Sequence, residues 1–398
     1  MNQTDPALRV RGAKWLDTAH GDVSQSDFLI ADGVIQTDDG REAITIDGSG
    51  MTAMFGLWDC HGHGGDLMYD PTSEGFFEGL ADRTIRAGEN FTSAVEMSIT
   101  GVRSLAAAEE LDIAWGRAFS AGTSRGPRIH GAGRGIRTTG GHGTGYPRIP
   151  TRLRDLHVVD GPDAMARAVR SQVERGAQWI KIMLTGGLQS PHETADGAQF
   201  TAAELATVME VANLRGIPVA AHCGGTAPAI AFSDLGGRSV EHGYMLEEEA
   251  AAVMARNGTW LVPTIGVTHD QDFIADEGWP AYAADRAREI MSHHADGLRA
   301  CIEAGVKIAV GADLNPIGER FHRELELLET VGMDRRAVLH AASVGGRELN
   351  GFGPGSTPDA GAAADIVLLD QNPMDSLETL RDPVMVVTHG RVVYERQS

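Results

Sequence analysis

The chain has 398 residues, of which 42% are hydrophobic, and a formal net charge of −21 at pH 7. This length suits one long α/β barrel or roughly two or three smaller domains. The negative charge argues against nucleic acid and anionic membranes as partners. Three cysteines do not indicate a disulfide framework. Because the amino terminus lacks a signal-peptide pattern and no run of about 20 apolar residues occurs, we expect a cytoplasmic protein.

The first 50 residues predict short strands joined by tight turns. Asp32-Gly33 and Asp39-Gly40 are dipeptides that favour such turns, and no helical period occurs in this part of the chain. We assign residues 1–52 to the first part of a small composite β-sandwich domain. The candidate strands lie at residues 8–10, 28–31, 34–35 and 43–47.

Residues 53–355 alternate between apolar strands and amphipathic helices, which is the pattern of a parallel sheet. We therefore predict an α/β fold, a distorted (β/α)8 TIM barrel. An open doubly wound sheet is the alternative, but no Gly-x-Gly-x-x-Gly follows the first strand to support it. The predicted strands lie at 53–59, 92–98, 128–133, 178–184, 217–222, 238–242, 259–264 and 306–312. The predicted helices lie at 102–120, 162–175, 201–215, 226–235, 247–257, 283–304, 319–331 and 334–349.

The carboxyl-terminal segment returns to strands. Candidates lie at residues 364–370, 384–388 and 391–395, with His389-Gly390 as a turn between the last two. Neither end of the chain is long enough to form a stable sheet alone. We therefore predict that residues 356–398 form the second part of the composite β-sandwich domain, paired with residues 1–52.

Possible metal ligands stand at the ends of five predicted barrel strands, where barrel enzymes place their active sites. Each of them alone has an ordinary explanation as a hydrogen-bonded polar residue or a turn former. Together, on one rim, they predict a shared metal site. The residues are His61 and His63 in the first strand, Lys181 in the fourth, His222 in the fifth, His242 in the sixth and Asp313 after the eighth.

Lys181 is unexpected in this set, because an ammonium group repels a metal ion and burial penalises its charge. Reaction of the amine with carbon dioxide resolves the conflict. The resulting carbamate is an anionic ligand that can bridge two cations. We therefore predict a binuclear centre with carbon dioxide bound as a carbamate on Lys181.

The ligand pattern resembles that of the amidohydrolase superfamily, over essentially the whole chain. Asp59-x-His61-x-His63, Lys181, His222, Glu241-His242-Gly243 and Asp313 follow the order and spacing of that family. Three phrases resemble its imidazolonepropionase-like and Xaa-Pro-dipeptidase-like branch, namely residues 139–143, 181–187 and 239–243.

The resemblance implies a role for each ligand. His61, His63 and Asp313 would hold the more buried metal, and His222 and His242 the more exposed one. Carbamylated Lys181 and a hydroxide would bridge the two ions. Zn²⁺ is the first expectation, with manganese, iron or cobalt as alternatives.

The resemblance also implies the chemistry. Hydroxide generated by the paired metals would attack the substrate, and Asp313 would accept its proton and return it to the leaving amine. We predict cleavage of an amide-type C–N bond in a small molecule, such as an N-acyl amino acid, a dipeptide or a cyclic amide. The alternatives are a lactone, carbamate or phosphotriester hydrolase, a deaminase, and an inactive scaffold. We also expect a homo-oligomer.

Substrate contacts are expected around this rim. Residues 125–154 are rich in arginine and glycine and follow the third strand, so Arg137 and His142 are candidates to meet an anionic group such as a carboxylate. The alternative is that these arginines pair with the acidic surface. Tyr244 and His269 are further candidates. Dipeptidase-like relatives often carry an aromatic residue where this chain has residues 223–226, so we expect a roomier pocket and a bulkier amide.

Overall fold

The computed structural model describes residues 6–64, 79–143 and 156–397, and the following elements lie within those ranges. The strands are β1 (Leu8–Asp17), β2 (Asp22–Ala31), β3 (Val34–Gln36), β4 (Ile44–Asp47), β5 (Thr52–Phe55), β6 (Leu57–Gly62), β7 (Ile99–Ser104), β8 (Arg128–Gly131), β9 (Gly135–Arg137), β10 (Leu156–Val158), β11 (Ile180–Met183), β12 (Val219–Gly225), β13 (Ser239–Met245), β14 (Trp260–Val262), β15 (Ile366–Leu369), β16 (Met385–Thr388) and β17 (Arg391–Glu395). The α-helices are α1 (Leu80–Val95), α2 (Leu111–Ser120), α3 (Pro162–Arg175), α4 (Ala202–Leu214), α5 (Thr226–Asp234), α6 (Glu248–Asn257), α7 (Gly266–His269), α8 (Gln271–Asp276), α9 (Ala281–Glu303), α10 (Ile317–Thr330), α11 (Arg335–His340) and α12 (Gly346–Leu349).

The two ends of the chain share one eight-stranded sheet. Its order is β17-β16-β15-β5-β1-β2-β3, and β4 pairs with β1 at one side. The junction is antiparallel pairing of β15 with β5, in which Ile366 lies opposite Phe55. Trp15 packs edge-on against Phe55, with ring centroids 4.9 Å apart, in the apolar core beside this sheet. Edge-on packing of this kind is a favourable aromatic geometry.

The strands between these ends are parallel and fall into two sheets. One has the order β6-β7-β8 and the other β10-β9-β11-β12-β13-β14. Residues 306–313 lie between them: Leu261 N donates to Lys307 O at 3.0 Å, and Cys60 N donates to Val310 O at 2.8 Å. This segment thus links β14 to β6. The mixed α/β content agrees with the predicted class. The described parallel strands form two sheets and do not pair into a single closed eight-stranded sheet.

The second predicted strand, at residues 92–98, is wrong. These residues lie mostly in helix α1, and the strand that follows this helix is β7. Because β7 occupies residues 99–104, the helix predicted to begin at residue 102 begins later, as α2 at Leu111. The buried positions Ala87, Phe91, Ala94 and Val95 lie on one face of α1. The spacing of these positions is helical. The short apolar run at the end of the helix also fits a strand, because periodicity cannot distinguish a helix from a strand over so few residues.

Other boundaries differ for local reasons. The predicted strand at 53–59 is divided at Gly56, where a Cβ atom would lie 2.1 Å from Thr100 Cγ2. The predicted strand at 306–312 contains a single parallel bridge, between Ile308 and Leu261. The predicted helix at 334–349 is interrupted by a π-helical turn over Ala341–Gly345. Short strand β9 lies within the arginine- and glycine-rich segment at residues 125–154, and β10 follows that segment.

The parallel register sets the depth of the side chains at the carboxyl ends of the strands. Met183 lies beside His222 in the pairing of β11 with β12, and Cys223 lies beside His242 in the pairing of β12 with β13. Both cysteines next to predicted ligands, Cys60 and Cys223, are fully buried in apolar clusters.

Within the described ranges, no helix has the length and apolar composition needed to cross a membrane.

Candidate metal centre

The six predicted ligands converge at the carboxyl ends of the parallel strands, and all of them are buried. Successive residues of a strand point to opposite faces, which sends the side chains of Asp59 and His61 one way and Cys60 the other. Lys181 projects from β11 and is only 1% exposed. The remaining ligands stand on β12, on β13 and after the bridge at Ile308. Burial of so many polar groups together requires partners for each of them.

Asp313 is at the centre of the closest contacts. Its Oδ1 atom lies 2.9 Å from His63 Nε2 and 3.3 Å from His61 Nε2. The Nζ atom of Lys181 lies 3.1 Å from His61 Nε2. One potential ligand atom from each of His61, His242 and Asp313 lies within 4.8 Å of the other two. This is a spacing at which three side chains can hold one cation.

His222 and His242 lie side by side, with ring centroids 4.4 Å apart. His222 donates its Nε2 hydrogen to Gly186 O at 2.9 Å. The Nε2 atom of His242 is buried and has no hydrogen-bond partner among the described residues. Burial of a nitrogen without a partner is costly, and a metal ion would supply the partner.

Burial also sets the charge of the histidines. It lowers the pKa of His61, His222 and His242 well below the ordinary value, with neighbouring cations adding to the effect. These imidazoles are therefore neutral near pH 7, which is the form that binds metals. Neutral imidazoles together with a carboxylate form a donor set suited to Zn²⁺ or a similar divalent ion. The residues present fit such a cofactor.

In three of the predicted ligand histidines, the Nδ1 atom has a hydrogen-bond partner that fixes the orientation of the ring. Nδ1 of His61 faces Glu241 Oε2 at 2.9 Å, and Nδ1 of His63 donates to Ala106 O at 3.2 Å. Nδ1 of His242 lies 2.7 Å from Thr264 Oγ1. Such partners are typical of metal-binding histidines, because they present Nε2 to the ion.

Glu241 is held in turn by Arg103, which is fully buried on β7. The guanidinium donates through Nη2 to both Glu241 oxygens, at 2.8 and 2.9 Å, and through Nη1 to Ser239 Oγ. It also lies over the Trp179 ring, 4.4 Å from the centroid. The Arg103 guanidinium thus orients the Glu241 carboxylate, whose Oε2 accepts the Nδ1 hydrogen of His61.

Burial lowers the pKa of Lys181 to about 8, although Glu241 and Asp313 raise it. A neutral amine is the form that can react with carbon dioxide. Asp59 lies at the back of the site, where its Oδ1 accepts hydrogens from His61 N at 2.9 Å and Ala312 N at 3.2 Å. Burial raises the pKa of Asp59 to about 7. Its carboxylate holds the two ligand-bearing backbone segments together.

The backbone is strained at the site. His242, Thr264 and Asp313 adopt φ angles of 70°, 46° and 60°, in the left-handed region that non-glycine residues avoid. For the β-branched Thr264 this conformation is especially unfavourable. Strain of this kind persists where the surroundings impose it and is typical of functional sites.

Two of the four predicted substrate contacts lie against the ligands. The His142 ring stacks on His222 with centroids 4.0 Å apart and an interplanar angle of 17°. The Tyr244 ring stacks on His242 at 5.0 Å and 8°. The described contacts of His269 are with residues next to the candidate ligands. Its Nδ1 atom lies 2.8 Å from Thr268 Oγ1, and its ring centroid lies 6.1 Å from that of His294.

Contact of Arg137 with a substrate carboxylate stays a prediction, and the structure shows a second role for this residue. It is buried, and its Nη1 atom donates to the carbonyls of Gly141 at 3.1 Å and His142 at 3.4 Å. It therefore shapes the loop that carries His142. Arg128 pairs with Asp365 and Arg134 with Glu109, so these two follow the structural alternative. The predicted loop residues Arg148, Arg152 and Arg154 lie outside the described residues.

Several residues important to the geometry were missed by the sequence reasoning. Arg103 is a charge inside an apolar strand, the same signal that singled out Lys181. His294 donates through Nε2 to His242 O at 3.0 Å and to Pro263 O at 2.9 Å. Glu193 and Thr264 lie in loops, where no periodic pattern marked them.

A family model described as the amidohydrolase family matches residues 52–393. The chain belongs to the amidohydrolase family. Like other members, it is an enzyme, a hydrolase that acts on amide-type bonds other than ordinary protein peptide bonds.

Three individual relatives share 26–29% sequence identity with this amidohydrolase. The ochratoxinase of Aspergillus niger is 29% identical over 358 residues, which cover 84% of this chain and 73% of the relative. A prolidase solved with N-methylphosphonate-L-proline is 26% identical, with a TM-score of 0.88 over 98% of this chain and 100% of that one. A Xaa-Pro dipeptidase with methionine bound in its active site is 26% identical, with a TM-score of 0.86 and the same coverage.

Proposed function

We propose that this amidohydrolase is a binuclear metal-dependent hydrolase that cleaves an amide C–N bond of a small molecule by activating water. The observation that carries the proposal is the convergence of His61, His242 and Asp313 beside the buried amine of Lys181. We assign His61, His63 and Asp313 to one ion, His222 and His242 to the other, and a Lys181 carbamate to both. Zn²⁺ is the preferred ion.

The fold supports this assignment through the arrangement of its parallel strands. We propose that the two parallel sheets and the segment at 306–313 form one distorted (β/α)8 barrel over residues 53–355. The shared sheet of the chain ends would form the composite β domain, from residues 1–52 and 356–398, and β5 extends the first part of that domain to Phe55. In such a barrel the carboxyl ends of the strands meet on one rim, where the ligands stand.

Paired divalent cations, when bound, supply an activated water and a Lewis acid for the scissile carbonyl. Within the chain, Asp313 is the candidate for proton transfer, because it is a carboxylate in contact with both His61 and His63. It would accept the proton of the attacking water and deliver it to the departing amine. His142 and Tyr244 stack on ligand histidines and would line the space that the substrate enters.

We propose N-acyl amino acids, dipeptides and cyclic amides as the substrate class. The name of the Xaa-Pro dipeptidase relative, and the methionine bound in its active site, favour an amide that includes an amino acid. The roomier pocket expected at residues 223–226 is not found there. A Cβ atom at Gly224 would lie 2.2 Å from Ala195 O, and one at Gly225 would lie 2.6 Å from Asp196 O, so backbone fills the space beside both glycines.

The test combines metal analysis with a substrate panel. The purified protein is stripped with a chelator, reloaded with Zn²⁺ in the presence of bicarbonate, and assayed on N-acyl amino acids, Xaa-Pro dipeptides, cyclic amides and lactones. We expect about two metal ions per chain and hydrolysis of amides only after reloading. Absence of bound metal, or hydrolysis that survives complete metal removal, would overturn the proposal. Cleavage of lactones alone would replace the amide assignment.

A further inference from the structure

The loop after β11 approaches the candidate centre at two places. Gly186 O accepts the Nε2 hydrogen of His222, and Gly187 N donates to Glu193 Oε1 at 3.0 Å. Arg286 on helix α9 anchors the loop from outside, donating to the carbonyls of Gly187 at 2.9 Å and Leu188 at 3.0 Å. One short segment is therefore bonded to a predicted ligand, to Glu193 and to a helix at the same time.

Glu193 bonds directly to His142. The two residues are 51 positions apart in the chain, and His142 Nδ1 donates to Glu193 Oε1 at 2.7 Å. The Glu193 side chain is only 6% exposed, so water competes little for its oxygens. Gln199 completes the arrangement: its Nε2 donates to Glu193 Oε2 at 2.8 Å, while its Oε1 accepts the backbone hydrogen of His142 at 2.7 Å.

The glycine at position 187 is required for this arrangement. A Cβ atom there would lie 2.3 Å from Cε1 of the His142 ring, much closer than any real contact allows. The imidazole of His142 thus lies between the backbone at Gly187 and the face of His222, on which it stacks at 4.0 Å. Since Glu193 occupies Nδ1, Nε2 is the ring nitrogen left for a substrate.

We propose that Glu193 is a positioning residue that acts on the substrate through His142. Its carboxylate holds the Nδ1 hydrogen, selects one tautomer and fixes the ring over His222, so that Nε2 meets the substrate without a further rotation. This proposal rests on the proposed function of the site. The benefit is pre-organisation, because a freely rotating imidazole would have to be ordered during each turnover.

The decisive experiment is a double-mutant cycle on the metal-loaded enzyme. Glu193→Gln is expected to lower kcat/KM about tenfold or more in the wild-type background and by less than about twofold in a His142→Ala background. Metal content is expected to stay at the wild-type level in every variant. Glu193→Asp keeps the charge at shorter reach and is expected to recover part of the loss. Equal losses in both backgrounds, or a loss that follows lost metal, would overturn the proposal.

The matched control is Glu204→Gln. Glu204 is another buried glutamate that accepts backbone hydrogens, from Thr201 and Gly161, but it lies at the start of helix α4 away from the histidines. We expect this variant to keep wild-type kcat/KM. If it loses as much as Glu193→Gln, the effect is general destabilisation and the positioning role is refuted.

A spectroscopic measurement separates this proposal from the proposed function. Long-range ¹H–¹⁵N correlation spectra of histidine-labelled protein report which ring nitrogen of His142 carries the hydrogen. We expect Nδ1 protonation in the wild-type protein and a mixture of tautomers in Glu193→Gln. An unchanged tautomer in the variant would refute the role of Glu193, whether or not a substrate is found. Failure of every amide to react, with the tautomer changed as expected, would count against the proposed function alone.

Discussion

The Nδ1 atom of His61 lies 2.9 Å from Oε2 of Glu241, and both side chains are almost fully buried. This contact decides which nitrogen of His61 faces the other candidate ligands. Because the hydrogen is on Nδ1, the lone pair of Nε2 is directed toward Asp313 and Lys181, which lie 3.3 and 3.1 Å away. Glu241 therefore orients His61 so that its Nε2 atom faces the candidate metal site.

Replacement of Glu241 by glutamine should weaken metal retention. The amide can present a hydrogen-bond donor where His61 needs an acceptor, so the imidazole is no longer held in one tautomer. We expect metal affinity to fall about 10–100-fold, measured by competition with a chromophoric chelator. The free energy of unfolding should fall as well, by about 3–5 kcal/mol, because Arg103 is left buried without its ionic partner.

The matched control for this variant is Asp112→Asn. Asp112 is another buried carboxylate, and it accepts hydrogens from the backbone of Ile113 and Gly133 rather than from a histidine of the site. This variant should lose stability and keep its affinity for metal. Equal loss of metal affinity in both variants would mean that Glu241 acts only through the stability of the fold.

Replacement of Lys181 by alanine should abolish turnover if its carbamate bridges the metals. The cavity left by the side chain and the missing anion should then be filled in part by short carboxylic acids, so that added acetate or propionate restores some activity. The measurement is kcat/KM with and without these acids, together with ¹³C NMR of wild-type protein reloaded in ¹³C-bicarbonate. Lys307→Ala, at an exposed lysine paired with Glu348, serves as the control and should be fully active. Full activity of Lys181→Ala would rule out the bridge.

The convergence of the candidate ligands could be predicted, because each is a metal-binding residue type near the end of a predicted parallel strand. His222 follows the apolar residues 219–221 and His242 ends a short predicted strand, and pairing of β12 with β13 brings the two residues together. Lys181 was visible as a charge where the surrounding strand is apolar. These features can be read from the sequence because residue type and position within a strand are both local properties.

The contacts made by loops were not predictable in this way. The bond between Glu193 and His142 depends on the path of two irregular segments, and no period relates the two positions. The hydrogen bonds from Arg137 Nη1 to the carbonyls of Gly141 and His142 likewise depend on how this loop turns back on itself. The shift of the second strand has a different cause, because Phe91 and Val95 satisfy a helical face as well as an apolar strand.

Buried histidines should make the fold sensitive to acid. His294 is buried behind the site, with Nε2 donating to His242 O and Pro263 O, and burial lowers its pKa from 6.5 to about 3. The folded protein therefore binds fewer protons than the unfolded chain below pH 6.5. The stability associated with neutral His294 is complete above pH 6.5 and is lost as the pH falls toward 3, by about 1.4 kcal/mol per pH unit.

Urea unfolding of the metal-free protein between pH 7.5 and 5 measures this dependence. We expect the free energy of unfolding to fall with acidification in the wild-type protein, and less steeply in His294→Gln, which cannot gain the proton. His130 and His322, whose pKa values burial lowers to about 4, should contribute in the same direction and keep some slope in the variant. His293→Gln, at the exposed neighbouring position, should retain the wild-type slope. Identical slopes in the two variants would show that His294 does not carry the effect.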